Sequence, residues 1–317
     1  MAGLGLGVGF VVTLLVGWVM IRLGPRLGII DVPDNGLKPH TGSPVPLGGV
    51  AVLAGSLAGL AVAGEFDIAI FAAMVMVWVV GLADDISGVS PVLRLLGSVV
   101  AGLLLVFLSD TSFEVTVGVF WVVAVVVVVH AINLFDGLDL LAGTVMTVAV
   151  LGITWFAGAQ GVSEPLMVLV ISGPILGFLV WNRPPARLYL GDNGAYLLGV
   201  LAVWAAMSAS ADRMGGVVAV ALVGMPLIDL GVTIFRRGLA GSPIFSGDRD
   251  HTYDRLHQQG LSSAGVALLF TVAQAVWVVV VVMVSIVWGD ITAAITALAL
   301  GLLIAGFLGV RQLLSDR

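Results

Sequence analysis

Two adjacent aspartates, Asp84 and Asp85, lie between apolar runs in VWVVGLADDISGVSPVLRLLG, residues 77–97. A charge in or beside a bilayer costs about 3 kcal/mol or more unless it is solvated, paired or bound to a metal. Two side by side also repel each other, so the pair asks for a cation. Such a pair reads as the lip of a membrane-embedded active site, with Asp84 and Asp85 as candidate catalytic groups.

Four other stretches carry polar chemistry. In NLFDGLDLLAG, residues 133–143, Asp136 and Asp139 are three apart and share a face if the segment enters a helix. Gly137 between them permits close approach of backbone to a ligand. Capping of a helix start competes with function for either acid alone, whereas Asn133, Asp136 and Asp139 together point to a site. In LYLGDNGAYLLG, residues 188–199, Asp192 follows a glycine and opens a helix. It is an N-cap, or part of a phosphate site whose carboxylate holds a bridging metal. The stretch DVPDNGLKPHTGSPVPLGG, residues 31–49, holds Lys38 and His40; Lys38 is the only lysine in the chain. A compact ammonium kept among arginines suits a phosphate, and a plain membrane anchor suits it as well. In SPIFSGDRDHTYDRLHQQG, residues 242–260, Asp248, Arg249, Asp250, His251, Asp254, Arg255 and His257 crowd together. The run is a solvated face or a set of contacts to phosphate oxygens.

The acids also indicate which ion they would hold. Asp84, Asp85, Asp136, Asp139 and Asp192 come from three loops and cannot all stay ionised at one place without a cation. Cysteine is absent and only 4 histidines are present, so the ligands are hard oxygens. Those favour Mg²⁺, with Mn²⁺ as the other choice, over Zn²⁺.

The elements that must position these residues are membrane helices. The 317 residues are 60% hydrophobic and 10% charged, whereas soluble domains are about 25% charged. The expectation is an all-α, polytopic transmembrane bundle forming one domain over 1–317. Polar breaks mark off about 11 spans, with 10 also possible: roughly 4–23, 47–64, 67–83, 91–108, 114–131, 140–158, 165–181, 193–209, 214–235, 264–288 and 291–310. Arg22 and Arg26 follow the first run instead of preceding it. That predicts a retained first span with its N-terminus outside. Alternating from there places 12 of the 13 basic residues inside, all but Arg213, as the positive-inside rule requires. The polar stretches then lie in the inside segments 24–46, 84–90, 132–139, 182–192 and 236–263. The outside acids Glu65, Asp67, Asp110, Glu114, Glu164 and Asp290 read as solvated caps. The working face is therefore cytoplasmic, in the cell membrane.

Taken together and in this order, the five stretches resemble the polyprenyl-phosphate N-acetylhexosamine-1-phosphate transferases. That family also contains the phospho-N-acetylmuramoyl-pentapeptide transferase of peptidoglycan synthesis. The resemblance covers residues from about 31 to 260. It implies transfer of a sugar-1-phosphate from a UDP-sugar to a polyprenyl phosphate, with release of UMP, at the start of cell-envelope glycan synthesis. By the same resemblance, Asp84 and Asp85 match an aspartate pair tied to catalysis and the lipid phosphate. Asp192 matches the Mg²⁺ ligand. Asn133, Asp136 and Asp139 match the segment that binds the uridine portion. Lys38 and His40 match a Lys-x-His of the first loop, and His251 matches the first histidine of a His-rich motif, a catalytic position. Asp248 and Arg249, just before it, count as substrate contacts.

The chain departs from the family pattern in places. His251-Thr252-Tyr253-Asp254-Arg255-Leu256 keeps one of three histidines, Leu140 stands where glycine is usual, and Arg94 and Ser98 stand where Lys and Gln are common. The altered last loop favours the branch that handles simple sugars. The expected partners are the UDP-sugar, polyprenyl phosphate and membrane lipid, with no nucleic acid; a homodimer through helix faces is left open. Two competing classes are a cation- or proton-coupled transporter and an inactive lipid-binding relative. The clustering of acids at one face and the lack of an inverted repeat oppose the transporter.

Overall fold

An apolar chain in lipid has to satisfy its backbone internally, and these sequences do so as helices. The computed structural model describes residues 1–31, 43–109, 114–162, 165–241 and 250–315. Lys38, His40, Asp248 and Arg249 lie outside the described residues. Helix α1 (Ala2–Leu23) leads to α2 (Gly48–Ala63), α3 (Ile68–Ser87), α4 (Pro91–Phe107), α5 (Val115–Phe135) and α6 (Leu141–Ala159). A 3₁₀ turn, Pro165–Ile171, then leads into α7 (Ser172–Asn182). After it come α8 (Gly191–Ser208), α9 (Arg213–Ala221), α10 (Gly224–Ala240), the short α11 (Thr252–Gln258), α12 (Ser263–Trp288) and α13 (Asp290–Ser315).

Among the described residues, six helices are long and apolar enough to cross a membrane, and α9 with α10 make a seventh if that bent pair is one span. The expected segment 214–235 is not straight: α9 and α10 meet at a 77° bend. Such a break frees backbone groups inside the apolar region, and α12 supplies their partners. Gln274 donates from Nε2 to the carbonyl of Leu222 at 2.6 Å and accepts from the Met225 N–H at 2.9 Å. The Trp277 indole donates to the carbonyl of Ala221 at 2.8 Å. Each group left unmade there would cost several kcal/mol.

At the middle of the bundle stands α8, buried from Asn193 to Ala206 and packed on α2, α3 and α5. Close approach of its first turn rests on small residues. A Cβ on Gly81 of α3 would collide with the backbone of Asn193, and one on Gly49 of α2 with Asn193 and Gly194. Small residues let helix backbones touch in this way. A single parallel bridge, Val45 with Leu188, staples the chain before α2 to the chain before α8. Gly48 N–H to Tyr189 O at 2.8 Å and Gly49 N–H to Leu190 O at 2.9 Å extend it.

Two expectations about local structure change. Asp84 and Asp85 belong to the last turns of α3 and not to a loop. Asp136 and Asp139 do not share a helix face, because α5 ends at Phe135 and α6 starts at Leu141. The segment between them turns through Leu140, which has φ 70°. That left-handed conformation is strained for a residue with a Cβ, and a glycine would adopt it freely. Asn182 of α7 holds the turn, accepting from the Leu140 N–H at 2.7 Å and donating to Leu188 O at 3.0 Å.

Candidate active site

A cavity of about 780 Å³ opens where α3 and α5 end and α8 begins. Asp84, Asp85, Asn133, Asp136, Asp139 and Asp192 all line it. Four elements bring them together: the end of α3, the end of α5, the α5–α6 connection and the start of α8. The other walls come from Asp31 and Pro46, from Asn182, Pro184, Pro185 and Ala186, and from Asp254, His257 and Gln258 of α11.

Each carboxylate is held differently. Asp84 is buried; Oδ1 accepts the Val89 N–H at 2.7 Å and Oδ2 pairs with Arg94 Nε at 2.9 Å. Asp85 faces the start of α8, where Oδ1 accepts the Asp192 N–H at 2.9 Å and Oδ2 the Asn193 N–H at 3.0 Å. Asp139 Oδ2 accepts the Ala186 N–H at 3.1 Å. Asp192 lies in the first turn of α8 and is not its cap; Leu190 holds the cap position. Asn133 Nδ2 donates to Asp192 Oδ1 at 2.6 Å, which fixes the carboxylate against the end of α5.

Asp136 lies just beyond the end of α5. Burial, reinforced by the carboxylates of Asp192, Asp85 and Asp139, pushes it well above the usual carboxylate range. Asp192 also sits against Asp84. Carboxylates this close cannot all be ionised unless protons or a cation lie among them. The donor set is all hard oxygen, which suits Mg²⁺ or Mn²⁺. Among the described residues, no three His, Asp or Glu side chains close into a cage for a metal. An ion here would keep water and substrate phosphate as its remaining ligands, as Mg²⁺ does in phosphate sites.

His251 lies beneath the cavity wall and not on it. It is buried, its Nδ1 is 2.7 Å from Asp229 Oδ2, and its ring stacks on Tyr253. Tyr253 donates to Leu134 O at 2.7 Å and covers Gly137, where a Cβ would strike its ring. These contacts tie the last loop to the connection that carries Asp136. Asp250, paired with Arg236 at 2.8 Å and Arg255 at 2.6 Å, ties it to α10. His130 of α5 faces α4, with Nε2 3.4 Å from Ser98 Oγ.

Asn182, Asn193, Asp229, Arg94 and Tyr253 are structural members of the site that the sequence did not single out as functional. Asn193 was legible only as the neighbour of Asp192. Asp229 amid apolar text was the one unusual signal for the support of His251.

Known proteins resemble this chain along most of its length. The family model for glycosyl transferase family 4 matches residues 68–210, the part that contains Asp84 through Asp192. A Bacillus subtilis protein named "Probable undecaprenyl-phosphate N-acetylglucosaminyl 1-phosphate transferase" is 28% identical over 286 residues, covering 80% of this chain and 78% of that one. The undecaprenyl-phosphate alpha-N-acetylglucosaminyl 1-phosphate transferase of Yersinia pestis is 28% identical over 285 residues, 81% of this chain and 77% of its own. The decaprenyl-phosphate N-acetylglucosaminephosphotransferase of Mycobacterium tuberculosis is 27% identical over 307 residues, 78% of this chain and 73% of its own.

Proposed function

The chain belongs to glycosyl transferase family 4, and on that premise we propose that it transfers a sugar-1-phosphate from a UDP-sugar to a polyprenyl phosphate. The observation that carries this reading is the convergence of Asp84, Asp85, Asp136, Asp139 and Asp192 on one cavity at one end of an apolar bundle. A diphosphate substrate enters such a cavity from water, while a lipid phosphate reaches the same place along helix surfaces.

In the reaction, an oxygen of the polyprenyl phosphate bonds to the β-phosphorus of the UDP-sugar. The bond from that phosphorus to the bridging oxygen breaks, and UMP leaves with the oxygen. A phosphate monoester has its second pKa at about 6, so the attacking oxygen is mostly ionised at neutral pH. No strong base is required, and positioning with electrostatics supplies most of the acceleration. Mg²⁺ or Mn²⁺ held by Asp192, beside Asp84 and Asp136, would neutralise charge on the diphosphate. Asn133 orients Asp192, Arg94 orients Asp84, and Asp136 with Asp139 border the space for the donor's nucleoside. Asp84 is the carboxylate placed to orient the acceptor.

The relatives' names make UDP-N-acetylglucosamine the first donor to test. The distribution of basic residues supports eleven spans, with the cavity at the cytoplasmic face of the cell membrane. Purified chain incubated with polyprenyl phosphate, Mg²⁺ and a panel of UDP-sugars is expected to yield one lipid diphospho-sugar by mass spectrometry, with equimolar UMP. Solute uptake by proteoliposomes without UMP release would overturn the proposal in favour of a transporter.

A further inference from the structure

Asp84 and Asp85 are neighbours in sequence, but consecutive residues on an α-helix point about 100° apart. The pair is therefore divided between two elements. Asp84 holds the turn into α4 through Val89 and Arg94. Asp85 meets the start of α8, where local sequence supplies no cap: Leu190 stands at the cap position and its side chain accepts nothing. Inside a bundle, the first amides of such a helix would lack partners.

Asp85 supplies those partners. Its two oxygens accept the N–H groups of Asp192 and Asn193. These are the second and third positions of α8, the same amides that a local cap residue serves. The Asn193 side chain adds a further bond to Asp85 Oδ2 and donates to Pro46 O at 3.2 Å, so the chain entering α2 joins the cluster. A carboxylate offers about four acceptor sites, and three are taken here. Removing a proton from the acceptor through Asp85 would loosen the helix start that carries Asp192.

From this geometry we propose that Asp85 is a positioning residue. It is a remote N-cap, 107 residues distant in sequence from the helix it caps. Together with Asn193 it sets the first turn of α8 and so the placement of the Asp192 carboxylate. The claim rests on the transfer reading only for its rate measurements; the cap itself is tested without substrate.

The test uses the full chain in nanodiscs as wild type, Asp85→Asn, Asp85→Ala and Asn193→Ala. Amide exchange of a peptide spanning residues 188–196 is measured without ligands. UMP release from UDP-N-acetylglucosamine gives kcat and KM. Asn retains one acceptor oxygen and Ala none. Exchange is therefore expected to quicken about threefold in Asp85→Asn and about tenfold or more in Asp85→Ala. The rate falls in the same order through kcat, with the donor KM within about twofold of wild type. Asn193→Ala follows Asp85→Asn in both measurements. Neither Asn nor Ala can take a proton, so a base at position 85 predicts equal loss of rate in both variants with exchange unchanged in Asp85→Asn. That result overturns the proposal. If Asp85→Ala does not fold, wild-type exchange in both Asp85→Asn and Asn193→Ala overturns it as well. If the wild type releases no UMP from any donor, the transfer reading fails, and the exchange measurement still decides the cap.

Discussion

The two polar ends of the bundle use the same residue type in opposite ways. At the end where α3 and α5 finish and α8 begins, five aspartates line one cavity. At the other end Asp67, Asp212, Glu114 and Asp290 are each satisfied singly. Asp67 caps α3 through the Ile70 N–H at 2.8 Å, and Asp212 caps α9 through the Gly215 N–H at 2.8 Å. Glu114 pairs with Arg213 at 2.6 Å, and Asp290 accepts from Gln160 at 3.1 Å and from Ser285. A cavity of about 530 Å³ exists there too, but Asp67, Asp212 and Arg213 on its wall already have partners. The difference teaches that acid content does not mark a site. Convergence does, because only crowded carboxylates bring one another to the point where a cation or a substrate phosphate–metal pair improves their energy.

Breaking the first end should have the larger consequences. Asp192→Asn is expected to lower UMP release about 10³-fold or more while the protein stays folded, since the carboxylate proposed to hold the metal loses its charge. Asp136→Asn removes a carboxyl whose ionisation its surroundings and the neighbouring carboxylates oppose. It should lower turnover about 10²-fold and raise the stability of the ligand-free protein on the order of 1 kcal/mol, seen as a higher melting temperature. Asn182→Ala leaves two backbone groups and the left-handed turn at Leu140 without support. A loss of roughly 2 kcal/mol in thermal unfolding is expected, with reduced activity.

The opposite end should respond only in stability. Asp67→Ala removes a helix cap, worth about 1 kcal/mol, and should leave UMP release unchanged. Glu114→Gln breaks an exposed ion pair and should shift stability by less than about 0.5 kcal/mol. A tenfold loss of activity in Asp67→Ala would erase the contrast between the ends.

Much of this was legible along the chain, for a simple reason. Apolar run length sets a membrane helix, and helices form at each of the expected segments. Asp67 as a cap was also visible, because capping is local. The end of α3 was not: GLADDIS reads as a polar break, but Asp84 and Asp85 find partners that let the helix continue to Ser87. The bend between α9 and α10 was equally hidden. Its backbone groups are satisfied by Gln274 and Trp277, about fifty residues away.

The sequence by itself determined that the chain is built of apolar helices and that its acids and amides collect in a few short stretches between them. Those features follow from run length and residue type, which need no knowledge of neighbours. Only the tertiary structure decided what each aspartate does. Asp84 turns to Arg94, Asp85 to the start of α8 and Asp139 to Ala186, while Asp136 lines the cavity that the other carboxylates share. A carboxylate's role is set by what lies within about 3 Å of its oxygens, and in a helical bundle most of those neighbours come from distant parts of the chain.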